Sequence, residues 1–233
     1  MGYVIYNSIL MKSSLALRAT VKYLLGVMAV ALLIFLPAGS LCYWQGWLFM
    51  AALFIPILVA GVVMFLKSPA LLESRLKAKE GQREQGMVVK LSGLLFVAVF
   101  VVAGFNWRYA WLVLPNWIVW CAAVVFILCY LLYTEVMREN AYLSRTIEVQ
   151  EGQQVVDAGL YGIVRHPMYT ATTLLFLAMP LVLASPISLL IMLFYIPLIV
   201  VRIIHEERFL KANLEGYAEY CERIRYRLIP YIW

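Results

Sequence analysis

Long apolar runs separated by short polar stretches dominate the chain, at residues 21–38, 46–66, 88–105, 113–133, 168–184 and 187–201. Crossing a hydrocarbon core of about 30 Å takes roughly 20 helical residues. The first four runs meet that length. The last two are shorter and are parted only by Ser185-Pro186, so they predict a tight helical hairpin. The pattern therefore predicts an all-α integral membrane protein of about six transmembrane helices, with a short C-terminal helical hairpin and a tail beyond it.

The polar stretches set an orientation. With six spans, 18 of the 19 basic residues fall on one face, and Arg108 alone falls on the other. Cytoplasmic loops collect lysine and arginine, so both termini are expected in the cytoplasm. Aromatic residues mark the opposite interface, with Tyr43, Trp44 and Trp47 beside the first turn and Trp107, Tyr109, Trp111, Trp117 and Trp120 further along. The charged stretch 67–90 is expected to be a loop holding a short amphipathic helix. Lys12, Arg18 and Lys22 ahead of a long first run suggest a retained signal anchor rather than a cleaved leader.

Composition agrees with the pattern. Of 233 residues, 64% are hydrophobic and 14% charged, against about a quarter charged in soluble domains. The net charge of +6 fits loop topology and anionic headgroups, and no basic-aromatic stripe suggests nucleic acid. Cys42, Cys121, Cys129 and Cys221 form no CxxC pair, so neither a disulfide framework nor a metal site is expected. We read one membrane domain with two regions, an N-terminal helical part over 1–150 and a C-terminal part over 151–233 where chemistry concentrates.

Two short stretches carry that chemistry. In Gly159-Leu160-Tyr161-Gly162-Ile163-Val164-Arg165-His166-Pro167-Met168-Tyr169, the glycines permit a turning backbone. Pro167 suits a first helical turn, which leaves Arg165 and His166 at a helix N-terminus, where free N–H groups favour an anion. The blander reading is an interfacial Arg-His pair that snorkels at a helix start. In Arg202-Ile203-Ile204-His205-Glu206-Glu207-Arg208, Arg202 and Glu206 share a helix face. Carboxylates beside apolar spans are costly and tend to serve a site. A hairpin of the last two runs would make the two stretches neighbours. The tail 216–230 is aromatic and basic, suited either to lying on headgroups or to folding back over this corner.

At these residues the chain resembles the isoprenylcysteine carboxyl methyltransferase family and the related phospholipid N-methyltransferases. The matching positions are Gly159, Tyr161, Arg165, His166, Pro167, Tyr169, Arg202, Glu206, Glu207, Gly216, Tyr217, Tyr220, Arg227 and Pro230. They cover the last third of the chain, with departures at Leu160, Gly162 and Ala171. The resemblance implies S-adenosylmethionine as methyl donor. His166 and the adjacent helix start, with Arg165, would hold its polar end. Tyr161, Tyr169 and Tyr217 would line its pocket, and Glu206 or Glu207 would accept its hydrogen bonds. Arg202, with Glu206, would serve the transfer itself by orienting an acidic acceptor such as a prenylcysteine carboxylate. An amine acceptor, as in the phospholipid branch, would need a base among His205, Glu206 and Glu207. The partners implied are a lipophilic small molecule or prenylated substrate and membrane lipids. Without a eukaryotic retention signal, a bacterial or archaeal plasma membrane is expected.

Two other classes stay open. A sterol-reductase-like NADPH enzyme shares a His-Pro-x-Tyr corner and a similar tail, but generally has more spans and differs at Glu206-Glu207. A scaffold or solute channel would be expected to place ionisable groups in mid-span, whereas here they gather at one face.

Overall fold

The computed structural model describes residues 2–77, 83–140, 142 and 149–233. Among them are nine α-helices and no strand. The basic residues Lys79 and Arg145, counted above in the loops, lie outside the described residues. Five segments are long and apolar enough to cross a membrane: Ser13–Ala38, Trp44–Lys67, Gly86–Tyr109, Asn116–Glu139 and Pro186–Asn213. They correspond to α1 (Gly2–Ala38), α2 (Trp44–Lys67), α4 (Arg83–Tyr109), α5 (Asn116–Glu139) and the α7–α8 unit (Pro186–Met192, then Tyr195–Asn213). The sixth expected span, α6 (Pro167–Val182), has 16 residues, or about 24 Å of helix, less than a hydrocarbon core. Between α2 and α4, α3 (Pro69–Lys77) is the short helix expected in the charged stretch. The tail contains α9 (Tyr217–Arg223).

Small residues let the helices approach. A side chain at Gly104 on α4 would meet Ile34 O at 2.5 Å and Ala38 N at 3.0 Å on α1, so α1 and α4 cross backbone to backbone, the packing that small residues permit between membrane helices. Ile34, Phe49, Val99, Phe126, Met192 and Ile199 are fully enclosed in one core drawn from α1, α2, α4, α5, α7 and α8. The outer faces carry exposed Leu24, Leu58, Val62, Leu94, Leu128 and Leu131, as a lipid-facing surface requires.

The α6–α7 turn is buried and fully tied, because an unpaired polar backbone group has no water to turn to there. Tyr43 donates to Leu183 O at 2.5 Å and Asn106 to Ala184 O at 3.3 Å. Ser188 N donates to Ser185 Oγ at 3.3 Å, and Ser188 Oγ donates to Val99 O at 2.9 Å. The expected interfacial aromatics gather at this end in pairs, with Tyr43 stacked on Trp107 and Trp44 on Trp120. From this pinned turn the two arms run back to the opposite end, where Pro167 begins α6 and the last turns of α8 carry Arg202, Glu206 and Glu207.

Candidate functional site

A buried carboxylate organises that end. Glu207 is 3% exposed. Its Oε1 accepts from Arg165 Nε at 2.7 Å and lies 3.2 Å from His166 Nε2, while its Oε2 accepts from Arg227 Nε at 3.0 Å. One residue from α8, two from the start of α6 and one from the tail thus meet on a single side chain. Isolated burial of such a charge would be prohibitive, and three donors compensate it.

Arg165 also fastens the tail. Its Nη1 donates to the carbonyls of Cys221, Ile224 and Arg225 at 3.2, 2.8 and 3.2 Å. The backbone completes the seam, with Arg165 N donating to Tyr226 O and His166 N to Arg227 O, both at 2.9 Å. One turn further on, Thr170 Oγ1 donates to Leu228 O at 2.8 Å. The tail therefore folds back over the corner, the second of the two arrangements its composition allowed. Tyr217 and Tyr220 are buried beneath it beside Leu214, Val155 and Ile224.

The turn before α6 is equally determined. Gly159 has φ +58°, and a Cβ there would collide with the carboxylate of Glu139. That carboxylate accepts from Leu160 N at 2.8 Å. Only glycine tolerates both the left-handed backbone and this close approach. The resulting 3-10 turn, Gly159–Gly162, presents Tyr161 inward, where its carbonyl accepts from Tyr220 OH at 2.8 Å. Burial pushes the Tyr161 phenol up to about 12 and also raises those of Tyr217 and Tyr220, so all three are neutral at ordinary pH.

Between this corner and the loop that precedes it lies a cleft of about 100 Å³. One wall is Tyr161, Arg165, His166, Met168 and Tyr169, and another is Glu206, Leu210, Leu214, Tyr217 and Tyr220. Facing them are Asn140, Tyr142, Gln153, Gln154, Val155 and Val156. Of the residues singled out from sequence, Tyr161, Arg165, His166, Tyr169, Glu206 and Tyr217 converge on this one cleft. Arg202 and Glu207 do not line it. Glu207 points away into its three donors. Arg202 lies behind Tyr169, donating from Nε to the tyrosine hydroxyl at 2.9 Å, and that hydroxyl donates to Glu206 Oε2 at 2.5 Å. The facing amides Asn140, Gln153 and Gln154 were not foreseen. No periodicity or motif marks them, and only the loop's return across the corner brings them in.

The donor set bears on which ligand the cleft accepts. Tyrosines and aliphatic side chains offer flat apolar surfaces for an aromatic ring, amides offer paired donors and acceptors, and Glu206 offers a carboxylate. The guanidinium in the wall, Arg165, already faces Glu207, and His166 Nε2 lies 3.2 Å from the same carboxylate. Glu206 is the carboxylate that the wall presents to a ligand. These residues fit a nucleoside with a cationic or zwitterionic substituent. Among the described residues no group of three or more His, Cys, Asp and Glu is placed to hold a metal ion.

The fold and site thus define a multi-pass helical membrane protein with a polar cleft at one end of a helical hairpin, closed by its own tail. Residues 117–215 match the family model described as phospholipid methyltransferase, which supports the class of membrane methyltransferases. The match takes in α5, the cleft loop, α6 and α8, and stops short of Tyr217. The chain is also 32% identical over 93 residues to the delta(14)-sterol reductase TM7SF2 of Mus musculus, a stretch covering 38% of this chain and 22% of that protein. The chain thus spans only about a fifth of that relative's length.

Proposed function

We propose that the chain is an S-adenosylmethionine-dependent methyltransferase acting on a lipophilic, membrane-embedded acceptor, most simply the carboxylate of an isoprenylcysteine-like molecule. The observation that carries this reading is the carboxylate of Glu206 set in an aromatic cleft whose one guanidinium, Arg165, is paired with Glu207. Such a cleft suits a nucleoside bearing a sulfonium and an ammonium group. When bound, S-adenosylmethionine supplies an electrophilic methyl group.

In this reading Tyr161, Tyr217 and Tyr220 flank the purine, and Glu206 accepts hydrogen bonds from hydroxyl or amino groups. The first turn of α6, beside Arg165 and His166, receives the carboxylate end through free backbone N–H groups. Tyr169 bridges Arg202 and Glu206 and fixes both. Arg202 orients an acidic acceptor, and the closed tail excludes water. A carboxylate acceptor is already ionised, so alignment and desolvation suffice. The C-terminal region 151–233 supplies most of this machinery, with Asn140 and Tyr142, just past the end of α5, completing the cleft. α6 serves as the sixth span despite its length, and the basic face with both termini is cytoplasmic, in a prokaryotic plasma membrane. A phospholipid amine is the neighbouring choice of acceptor, favoured by the matched family's description. It requires a base, for which Glu206 is the one carboxylate in the wall.

The similarity to TM7SF2 favours one competing reading, an NADPH-dependent sterol-reductase-like enzyme. Calorimetry on detergent-purified protein separates the two. Micromolar binding of S-adenosylmethionine and S-adenosylhomocysteine, weakened by His166→Ala and by Glu206→Ala, with no NADPH binding, is the expected result. Folded protein that binds NADPH and neither adenosyl ligand would overturn the proposal.

A further inference from the structure

A second cavity, of about 500 Å³, lies apart from the cleft among α1, α2 and α3, within the range of small-molecule pockets. Its walls come from Ala16, Ala19 and Gly26 on α1, from Phe54, Ile57, Leu58, Gly61 and Val62 on α2, and from Leu72 and Leu76 on α3. Two glycines leave it open. A side chain at Gly61 would meet nothing within 4 Å, and one at Gly26 would meet only Phe54, at 3.8 Å. Its flank is lipid-facing, since Ile57, Leu58 and Val62 are 40%, 47% and 49% exposed.

The polar atoms of the groove are few and uneven. Tyr23 is engaged, donating to Phe54 O at 3.2 Å. Lys22 lies in the wall and donates one hydrogen bond, to Leu76 O at 2.7 Å, out of the three an ammonium can make. Arg18, exposed, lies one turn earlier on the same helix face, 3.7 Å from the carboxylate of Glu73. An apolar trough open to lipid, with Lys22 in its wall and Arg18 one turn beyond it among the described residues, is complementary to an anionic amphiphile.

We propose that this groove binds an anionic glycerophospholipid of the surrounding bilayer, one acyl chain lying between α1 and α2 and its phosphate held by Lys22 and Arg18. The site is independent of the methyltransferase reading. A bound chain would fill the space that Gly26 and Gly61 leave, and the phosphate would lie against the Lys22 ammonium and the Arg18 guanidinium.

Native mass spectrometry of the full chain, with phosphatidylglycerol and phosphatidylcholine added in equal amounts, tests this. One retained phosphatidylglycerol per chain is expected. Lys22→Gln should lower the preference about fivefold, the effect of one basic group at a headgroup. Gly61→Leu, which fills the trough, should remove retention of either lipid. A thermal melt checks that Gly61→Leu is folded, and Lys22→Gln stands as the surface variant should it not be. Equal retention of both lipids, or unchanged retention in Lys22→Gln, would overturn the proposal. So would wild-type dimers that vanish in Gly61→Leu, which would make the groove a contact with a second copy. Loss of methyl transfer in Gly61→Leu with phosphatidylglycerol still retained would assign the groove to the methyl acceptor and equally overturn it.

Discussion

Arg165 Nε donates to Glu207 Oε1 at 2.7 Å between two side chains that are 6% and 5% exposed. The pair joins the start of α6 to the end of α8, and Arg165 carries the connection on to three carbonyls of the tail. It holds the cleft together, Arg165 from within the wall and Glu207 from behind it.

Truncating one partner of a buried pair leaves an uncompensated charge, at a cost of roughly 3–5 kcal/mol. Glu207→Ala is expected to lower the melting temperature of the detergent-solubilised protein sharply, and to expose the tail to limited proteolysis near 224–227. Arg165→Lys should fare little better, because an ammonium cannot reproduce the planar fork that reaches both Glu207 and the tail carbonyls. A Glu207→Ala protein with wild-type melting and protease resistance would contradict this structural role.

Glu206 should behave differently from its neighbour. Glu206→Gln is expected to leave the melting temperature nearly unchanged and to weaken S-adenosylhomocysteine binding by roughly 10- to 100-fold, the value of a hydrogen bond to a charged group. Calorimetry beside a thermal melt gives both numbers. Binding unaffected by the substitution would remove Glu206 from the site.

Tyr169 links Arg202 to Glu206 through one hydroxyl. Tyr169→Phe keeps the ring and strips both charged groups of a partner, a loss of about 1–3 kcal/mol. Weakened adenosyl-ligand binding is expected without loss of fold, and double substitution with Glu206→Gln should be less than additive, because the two share one interaction. Full additivity would show that the bridge does not couple them.

Gly159→Ala should destabilise the turn by about 1–3 kcal/mol, since it opposes both the left-handed backbone and the Glu139 carboxylate. Combining it with Glu139→Ala removes the collision but also the acceptor of Leu160 N, so the double variant is expected to stay below wild type while losing less than the two single losses summed. Wild-type stability in Gly159→Ala would mean that the turn can relax.

Tyr161 titrates near 12 in the folded chain against 10.0 for a free phenol. A phenol whose folded value is raised contributes stability that is complete below pH 10 and is lost as pH rises through the folded value. The protein should keep a flat melting temperature up to about pH 10 and lose stability between there and pH 12. Tyr161→Phe should reduce that alkaline loss, and phenolate absorbance followed alongside the melt checks it.

The apolar runs and the charge pattern by themselves determined the helical membrane class, the aromatic end and the tight α6–α7 turn, because lipid demands long helices with satisfied backbones whatever their packing. The Arg165-His166-Pro167 corner and the Arg202–Glu207 stretch were legible as neighbours for the same reason, since a hairpin pinned at one end must bring its other two ends together. Which carboxylate faces the cleft was not legible. Glu206 and Glu207 are adjacent, and about 100° of helix rotation separates them, so the direction depends on how α8 is rotated against α6 and the tail. Packing turned Glu207 toward Arg165, His166 and Arg227, and left Glu206 to the cleft. The far wall of Asn140, Gln153 and Gln154 was likewise hidden, because those side chains have no periodic pattern and meet the corner only through a long-range fold of the loop. The tail was free to lie on headgroups until tertiary contacts decided otherwise. The backbone seam between 165–166 and 226–227, with the buried Arg165 fork, offered its carbonyls partners that a membrane surface could not.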